Sequence, residues 1–241
     1  MTDAVQIERT GPIWQVCLNR AAKGNALSSD MVSALDAALQ EGEQAGISAL
    51  VLRGEGKHFC AGFDLSHLDQ ETDDTLLARF VRIELMLQRL ARAPFATLAI
   101  GHGRVIGAGA DLFAACTYRA ILGDASFAFP GASGFGLVLG TRRLSDLVGN
   151  AVALDWTQTG RRVDAAEALQ RSLATVQLAD DAALAGWIDA QTQPKRETHA
   201  ALKQALQAHA PSHDARDLEL LVRSAAAPGL QQRITAYVNR G

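Results

Sequence analysis

The segment from Phe95 to Asp111, FATLAIGHGRVIGAGAD, most narrows what this chain can become. Pro94 closes the helical pattern before it, because a proline ring cannot continue a helix and holds its neighbour extended. Phe95 to Ile100 reads as a buried strand, a short apolar run without alternation. Gly101, Gly103, Gly107 and Gly109 follow, and then an apolar helical pattern, AGADLFAACTYRAIL. Glycines between a strand and a helix let the backbone approach a ligand and leave amides free at the helix start. Amides aimed at one point favour an anion, or an oxygen that becomes anionic during a reaction.

The rest of the chain reads as a globular α/β protein. Hydrophobic residues make up 48% of 241, near the globular norm, so the composition suggests neither disorder nor a membrane class. The start, MTDAVQIERT, lacks the basic-then-apolar order of a leader. Net charge is −3 with basic residues scattered, so no electrostatic footprint for nucleic acid is present. Cys17, Cys60 and Cys116 are far apart and form neither a disulfide framework nor a zinc motif. Cys17 and Cys116 read as core. Cys60 stands beside a glycine loop, but no His–Asn/Asp pattern supports it as a nucleophile. A reducing, cytoplasmic setting is the expectation.

In order, Val5–Arg9 and Ile13–Leu18 read as a hairpin around Gly11-Pro12. Asn19–Asn25 is a polar loop, and Ser28 or Ser29 is the N-cap of a helix with Met31, Val32, Leu35 and Leu39 on its apolar face. Ala49–Arg53 is a short buried strand. A second glycine loop, GKHFCAGFDLSHL, leads to an expected helix start near Asp64. The acidic run DQETDDT reads as a mobile surface loop ahead of a helix from Leu76 to Ala93. Phe127–Phe129 ends another strand, and GASGFGLVLG is a third glycine-rich connection. Asp164, three residues before Glu167, suggests a capping box. From Asp180 the chain is alanine-rich and helical. The expected organisation is a core over residues 1–190 and a helical subdomain over 191–241.

Gly101, Gly103 and Gly107 nearly match a dinucleotide fingerprint, with Asp124 about twenty residues on; their spacing, however, is GxGxxxG. Ser133 lacks the glycine two residues later that a nucleophile elbow needs. Taken together, KHFCAGFDLSHL and GHGRVIGAGADL resemble the paired oxyanion-hole segments of the crotonase, or enoyl-CoA hydratase/isomerase, family. NRAAKGNALSSDMVSAL is similar to that family's N-terminal loop and helix, and LDWTQTGRRVDAAEALQRSLATVQL to its downstream segment.

This resemblance implies a crotonase-like spiral of ββα units with a C-terminal helical part, assembling as trimers or hexamers. It implies an acyl-coenzyme A thioester as substrate, from fatty acid metabolism, and no cofactor besides the coenzyme A that the substrate carries. By position, the oxyanion donors are the amides of Phe63 and Ala108. The coenzyme is held by Lys23, Asn25 and Ala26 in the first loop, by Ala61, Gly62, Asp64 and Leu65 in the second, and by Gly107.

The chain departs from the family's acid–base pair. Asp111 stands where the first glutamate is expected, with its carboxyl one methylene shorter; it reads equally as a base and as a charge at the helix start. Gly131 stands at the second glutamate and can carry no proton. Ordinary water addition is therefore unexpected, leaving isomerisation, decarboxylation or thioester hydrolysis. The alternatives are a non-catalytic thioester-binding protein and, less in keeping with the glycine spacing, a nicotinamide-dependent reductase. Ser133, His67 and His102 are structural or surface residues in this reading. Phe63, Phe129 and Phe135 suggest an apolar pocket or core positions.

Overall fold

The computed structural model describes residues 3–206 and 210–240, with side chains omitted at 210 and 211. A hairpin of β1 (Val5–Thr10) and β2 (Ile13–Leu18) opens one edge of the sheet. Strands β3 (Ala49–Gly54), β4 (Ala96–Ile106) and β5 (Tyr118–Ala128) follow beside β2, each parallel to the one before. The crossovers carry helices α1 (Ser29–Ala45), α2 (Asp73–Arg92) and α3 (Ala108–Ala115). Short β6 (Val163–Asp164) and β7 (Val176–Leu178) pair with the two ends of β5, antiparallel and parallel.

The sheet turns at the glycines. β4 pairs with β5 from Leu98 to Gly101, slips register, and resumes from Gly103 to Ile106. Beyond the slip its other neighbour is no longer β3 but the 59–62 segment, with Cys60 opposite Val105. Gly103 has φ +56, and a Cβ there would run into the Lys57 carbonyl. A side chain would block this bend. Gly101 to Ile106 is thus strand rather than the expected loop, because β5 supplies ladder partners past the bend. The expected helix beyond Ala115 is corrected too: Tyr118–Ala128 is β5, and helix-like apolar spacing lost to pairing on both sides of a central strand.

Helix α1 begins where expected: Ser28 accepts the Met31 amide at 3.3 Å, and Met31, Val32, Leu35 and Leu39 are buried. The helix ends at Gly46 with φ +70. No helix starts at Asp64; only a 3-10 turn, Leu68–Gln70, precedes α2. The acidic run is not a loose loop. Thr72 caps α2, Glu71 pairs with Arg79 at 2.5 Å, and Asp73 accepts the amides of Gly229 and Gln231 at 2.8 Å each. Those amides open α11 (Leu230–Val238), so a carboxylate meets the positive end of a helix and ties the C-terminus to α2.

Between them come α4 (Gly131–Phe135), α5 (Thr141–Val148), α6 (Asn150–Thr159), α7 (Ala165–Gln170), α8 (Asp181–Thr192), α9 (Arg196–Leu206) and α10 (Ala210–Ala225). The third glycine connection therefore holds a helical turn. Asp164 does accept the Glu167 amide at 2.8 Å, but the Glu167 carboxylate turns to Arg161 instead of closing the box. The expected boundary at 190/191 falls inside α8, which packs on β4, β5 and β7; α10 lies on α2, and α11 on α4 and α2. One apolar core under α1, α2 and α3 includes Phe59, Phe80, Phe95, Phe113 and Trp156. A smaller one lies between the sheet and α8.

Candidate active site

The two glycine loops meet at the upper end of β4. Ala61 donates to Gly24 at 2.8 Å, and Leu27 and Asp64 bond across to Gly62 and Leu27 at 2.7 and 3.1 Å. In a parallel bridge of this kind the flanking residues make the bonds, so the Phe63 N–H points the other way. Gly62 has φ +105, and a Cβ on it would lie 2.8 Å from the Ile106 oxygen and 3.7 Å from the Ala108 nitrogen. Backbone thus packs on backbone between the loops, which only glycine allows. Ala108 opens α3, where the first amides have no intrahelical acceptor. Neither the Phe63 nor the Ala108 amide donates to any protein group among the described residues.

Both residues line an apolar cavity of about 160 Å³. An aromatic row forms one wall: Phe63 stacks on Phe80 at 4.4 Å, Phe80 lies 6.3 Å from Phe135, and Phe135 meets Tyr237 edge-on at 5.6 Å. Phe129 and Leu137 contribute elsewhere. Arg79 stands 4.1 Å over the Phe63 ring and donates to the Asp64 carbonyl at 3.0 Å, so the donor loop is held from outside. Two free amides in an apolar wall are suited to an oxygen that gains negative charge.

Asp111 is the one carboxyl-bearing residue in this lining among the described residues. It lies in the first turn of α3 but does not cap it; the N-cap is Gly107, without a side-chain bond. The Asp111 carboxyl is buried and makes no hydrogen bond among the described residues. Burial raises its pKa well above the usual carboxylate value; the Arg143 guanidinium opposes that rise, and Glu84 adds to it. At the expected second acid position, Gly131 lines the cavity with backbone alone.

The structure brings Ala61, Gly62, Phe63, Leu65, Gly107, Ala108 and Asp111 to the cavity, and leaves Lys23, Asn25, Ala26 and Asp64 outside its lining. Asn25 is fully buried and its amide is spent within the fold: it donates to Glu55 and His58 carbonyls at 2.9 and 2.7 Å and accepts the Arg20 amide. Asp64, rather than starting a helix, pairs with Arg20 at 2.7 Å and accepts the Ser66 amide at 3.0 Å. Its own burial works against ionisation, but Ser66 and Arg20 more than compensate and lower its pKa. Ala26 is buried and Lys23 exposed in the same turn.

Cys60 is fully buried, its thiol pushed up to about 12 by burial, which excludes a thiolate nucleophile at neutral pH. His102 Nε2 lies 3.1 Å from the Gly56 carbonyl, and His67 is an exposed turn residue with φ +60. Ser133 faces Gly160, outside the cavity. The dinucleotide reading falls because Gly101 and Gly103 lie within β4 and not at its exit. Among the described residues no cluster of three metal-binding side chains occurs, and no helix is long and apolar enough to cross a membrane.

The sequence reading missed Tyr237, Glu84 and Arg143. Glu84 carries a usable signal, since it lies four residues after Phe80 on the apolar stripe with Ile83 and Leu87. Tyr237 carries none, because it reaches the cavity only through the docking of α11.

Fold and site together are those of an α/β scaffold with two unbonded amides and one carboxyl on an apolar cavity, and comparison gives the family. Residues 13–237 match the family described as enoyl-CoA hydratase/isomerase. The crystal structure of a Bordetella parapertussis protein described as an enoyl-CoA hydratase/isomerase superposes with a TM-score of 0.93 at 40% identity, covering 98% of this chain and 99% of that one. A Bacillus subtilis protein assigned to the enoyl-CoA hydratases is 33% identical over 66% of this chain and 63% of its own length. A peroxisomal Delta(3,5)-Delta(2,4)-dienoyl-CoA isomerase of Arabidopsis thaliana is 30% identical over 65% of this chain and 62% of its own. The alignments thus span under two thirds of these two relatives. The chain belongs to the enoyl-CoA hydratase/isomerase family and has the crotonase fold with a C-terminal helical region.

Proposed function

We propose that this protein is an acyl-coenzyme A enzyme that stabilises a thioester enolate between the amides of Phe63 and Ala108 and moves a proton with Asp111. One observation carries the reading: two unbonded amides and a single carboxyl group line the same apolar cavity. The thioester oxygen takes both N–H groups, and the acyl chain lies along the aromatic row. Coenzyme A enters only as the carrier half of the substrate. Its nucleotide end rests on the 19–26 turn with exposed Lys23, which Gly24 joins to Ala61 at the cavity wall.

A single carboxyl suits a 1,3-proton shift better than hydration. Ionised Asp111 removes a proton from C2 of a 3-enoyl thioester, breaking that C–H bond and placing the electron pair in a dienolate whose oxygen the amides hold. The same group returns the proton to C4, giving the 2-enoyl thioester with no net gain or loss of atoms. Adding water requires a second group to activate it, and Gly131 has no side chain for that task.

A second reading rests on the raised proton affinity of Asp111. A neutral acid in an apolar cavity suits protonation of an enolate formed when a malonyl-type thioester loses carbon dioxide. The test is turnover of 3-enoyl, 2-enoyl and malonyl-type coenzyme A thioesters by wild type and Asp111→Asn across pH. Isomerisation by a base rises with pH, and decarboxylation through an acid falls. Binding without any turnover would leave a thioester-binding protein and defeat both. Self-association as trimers or hexamers belongs to the same proposal, with exposed Leu202 and Leu206 of α9 as contact candidates, and sedimentation velocity reads it.

A further inference from the structure

Behind Asp111 lies a buried ion pair that the scheme above does not use. Arg143 of α5 donates through Nη1 and Nη2 to Glu84 of α2, at 2.9 and 2.6 Å, in a two-pronged pair. Both residues are buried, Glu84 at 1% exposure and Arg143 at 7%. Gln88 also donates to Glu84, at 2.8 Å, fixing the carboxylate from within its own helix. The third guanidinium donor, Nε–H, is buried and meets no acceptor. A buried cation with an open N–H is uncommon.

Helix α3 packs against both α2 and α5, so the acid, the cation and the second carboxylate lie among three touching helices. Gly140, just before α5, abuts Asp111 so closely that a Cβ would run into Oδ1. Asp217 of α10 lies 3.6 Å from Arg143 Nη1, but its nearer partner is Arg142 at 2.7 Å. Asp214, also on α10, pairs with Arg92. Glu84 therefore dominates the fixing of Arg143, and Arg143 is the cation opposing the burial of Asp111.

The two partners pull Asp111 in opposite directions. The guanidinium alone would make it a lasting carboxylate; burial and Glu84 alone would keep it a lasting neutral acid. We infer that Arg143, locked by Glu84, is a positioning residue that holds the Asp111 carboxyl ready both to take and to give a proton. This rests on the reading of Asp111 as the proton carrier. The pair itself touches no substrate atom and acts through Asp111.

The experiment uses the full chain with Glu84→Gln and with Arg143→Met. It records kcat and KM against pH with a 3-enoyl thioester, together with a carboxyl-carbon NMR titration of Asp111 assigned by its loss in Asp111→Asn. Glu84→Gln removes the opposing charge and turns one of its two accepting oxygens into a donor, which also loosens the hold on Arg143. With the negative charge gone, both the profile and the titration move to lower pH. Arg143→Met moves both to higher pH. On the acidic limb kcat changes by about tenfold in opposite senses while KM changes by less than about threefold.

Displacement of both variants in one direction, or a fall in kcat with no displacement, would overturn the inference. If Arg143→Met does not fold, Glu84→Gln decides alone, and an unmoved titration refutes the role. An unmoved titration with Asp111→Asn inactive defeats this inference but spares the proposed function. Full activity in Asp111→Asn defeats the proton-carrier reading, and the positioning role with it.

Discussion

Each amide-bearing loop carries a buried aspartate one or three residues past its donor, and the two are opposites. Asp64 follows Phe63, pairs with Arg20 at 2.7 Å and caps the Ser66 amide. Asp111 follows Ala108 and faces the cavity, and its carboxyl makes no hydrogen bond among the described residues. Their pKa values move apart accordingly, Asp64 down and Asp111 up. Both are nearly inaccessible, at 7% and 5% exposure, so burial alone does not separate them. Partners do. A carboxylate satisfied by its own fold is a structural tie, whereas one left without partners on an apolar wall has its proton free for chemistry.

The sharpest way to break that contrast is to neutralise each acid. Asp111→Asn should lower kcat by about 10²- to 10⁴-fold, the usual worth of a positioned proton-transfer group. Asp64→Asn should change kcat less than about fivefold by the same comparison. Steady-state rates with a 3-enoyl thioester check both, and equal losses would end the assignment of separate roles. The donors come next. Gly62→Val forces a side chain onto a backbone with φ +105 and into the Ile106 carbonyl, displacing the Phe63 amide from Ala108. A loss of about a hundredfold or more in kcat is expected, comparable to removing one oxyanion donor. Unchanged kcat in a folded Gly62→Val protein would show that the Phe63 amide does not hold the reacting oxygen.

How much of this could be read beforehand follows the same divide between local and assembled features. The glycine loops, the α1 cap at Ser28 and the apolar faces of α1 and α2 are local, and the residues declare them. Asp111 was visible as a candidate, but its state was not, because that depends on Arg143 and Glu84, 32 and 27 positions away in sequence. The first half of β5, Tyr118–Leu122, reads as the end of a helix because its apolar run is decided by neighbours on both sides, whereas its far end at Phe127 reads as strand. Asn25 shows a different limit: its place in a polar loop is visible, but not that three internal hydrogen bonds occupy its side-chain amide. Asp73 carried no sign that it would cap a helix some 156 residues later.

Stability against pH sharpens the contrast further, with opposite signs. Asp111 has a raised folded pKa, so the folded state holds its proton more tightly than the unfolded chain. Its contribution is greatest below the unfolded value near 3.8 and declines as pH rises towards the raised value. Asp111→Asn should therefore raise the melting temperature at neutral pH by a few degrees, with the gain shrinking towards pH 4. Asp64 has a lowered folded pKa, so its contribution is present above 3.8 and is lost as pH falls through the lowered value. Asp64→Asn should cost about 1–3 kcal/mol at neutral pH, as for hydrogen bonds to a charged group. That cost should fade in acid. Thermal melts of both variants from pH 3 to pH 8 read the two slopes, and slopes of the same sign would remove the distinction.

The smallest effect lies where the C-terminus meets the cavity. Tyr237 stands at the far end of the aromatic row from Phe63, held there because Asp73 anchors the first turn of α11. Its ring also fills the space above Gly134, where a Cβ would come within 2.7 Å of it. Removing the ring should lengthen the apolar cavity without touching the amides or Asp111. Tyr237→Ala should raise kcat/KM for long-chain relative to short-chain thioesters by about three- to tenfold, the effect of changing a few apolar contacts in a pocket. Its kcat on the best substrate should stay within about twofold, because Asp111 is unmoved. A loss of kcat across all chain lengths would instead place Tyr237 with Asp111 in the chemistry. The clean separation of a fixed wall from a single titrating group would then fail.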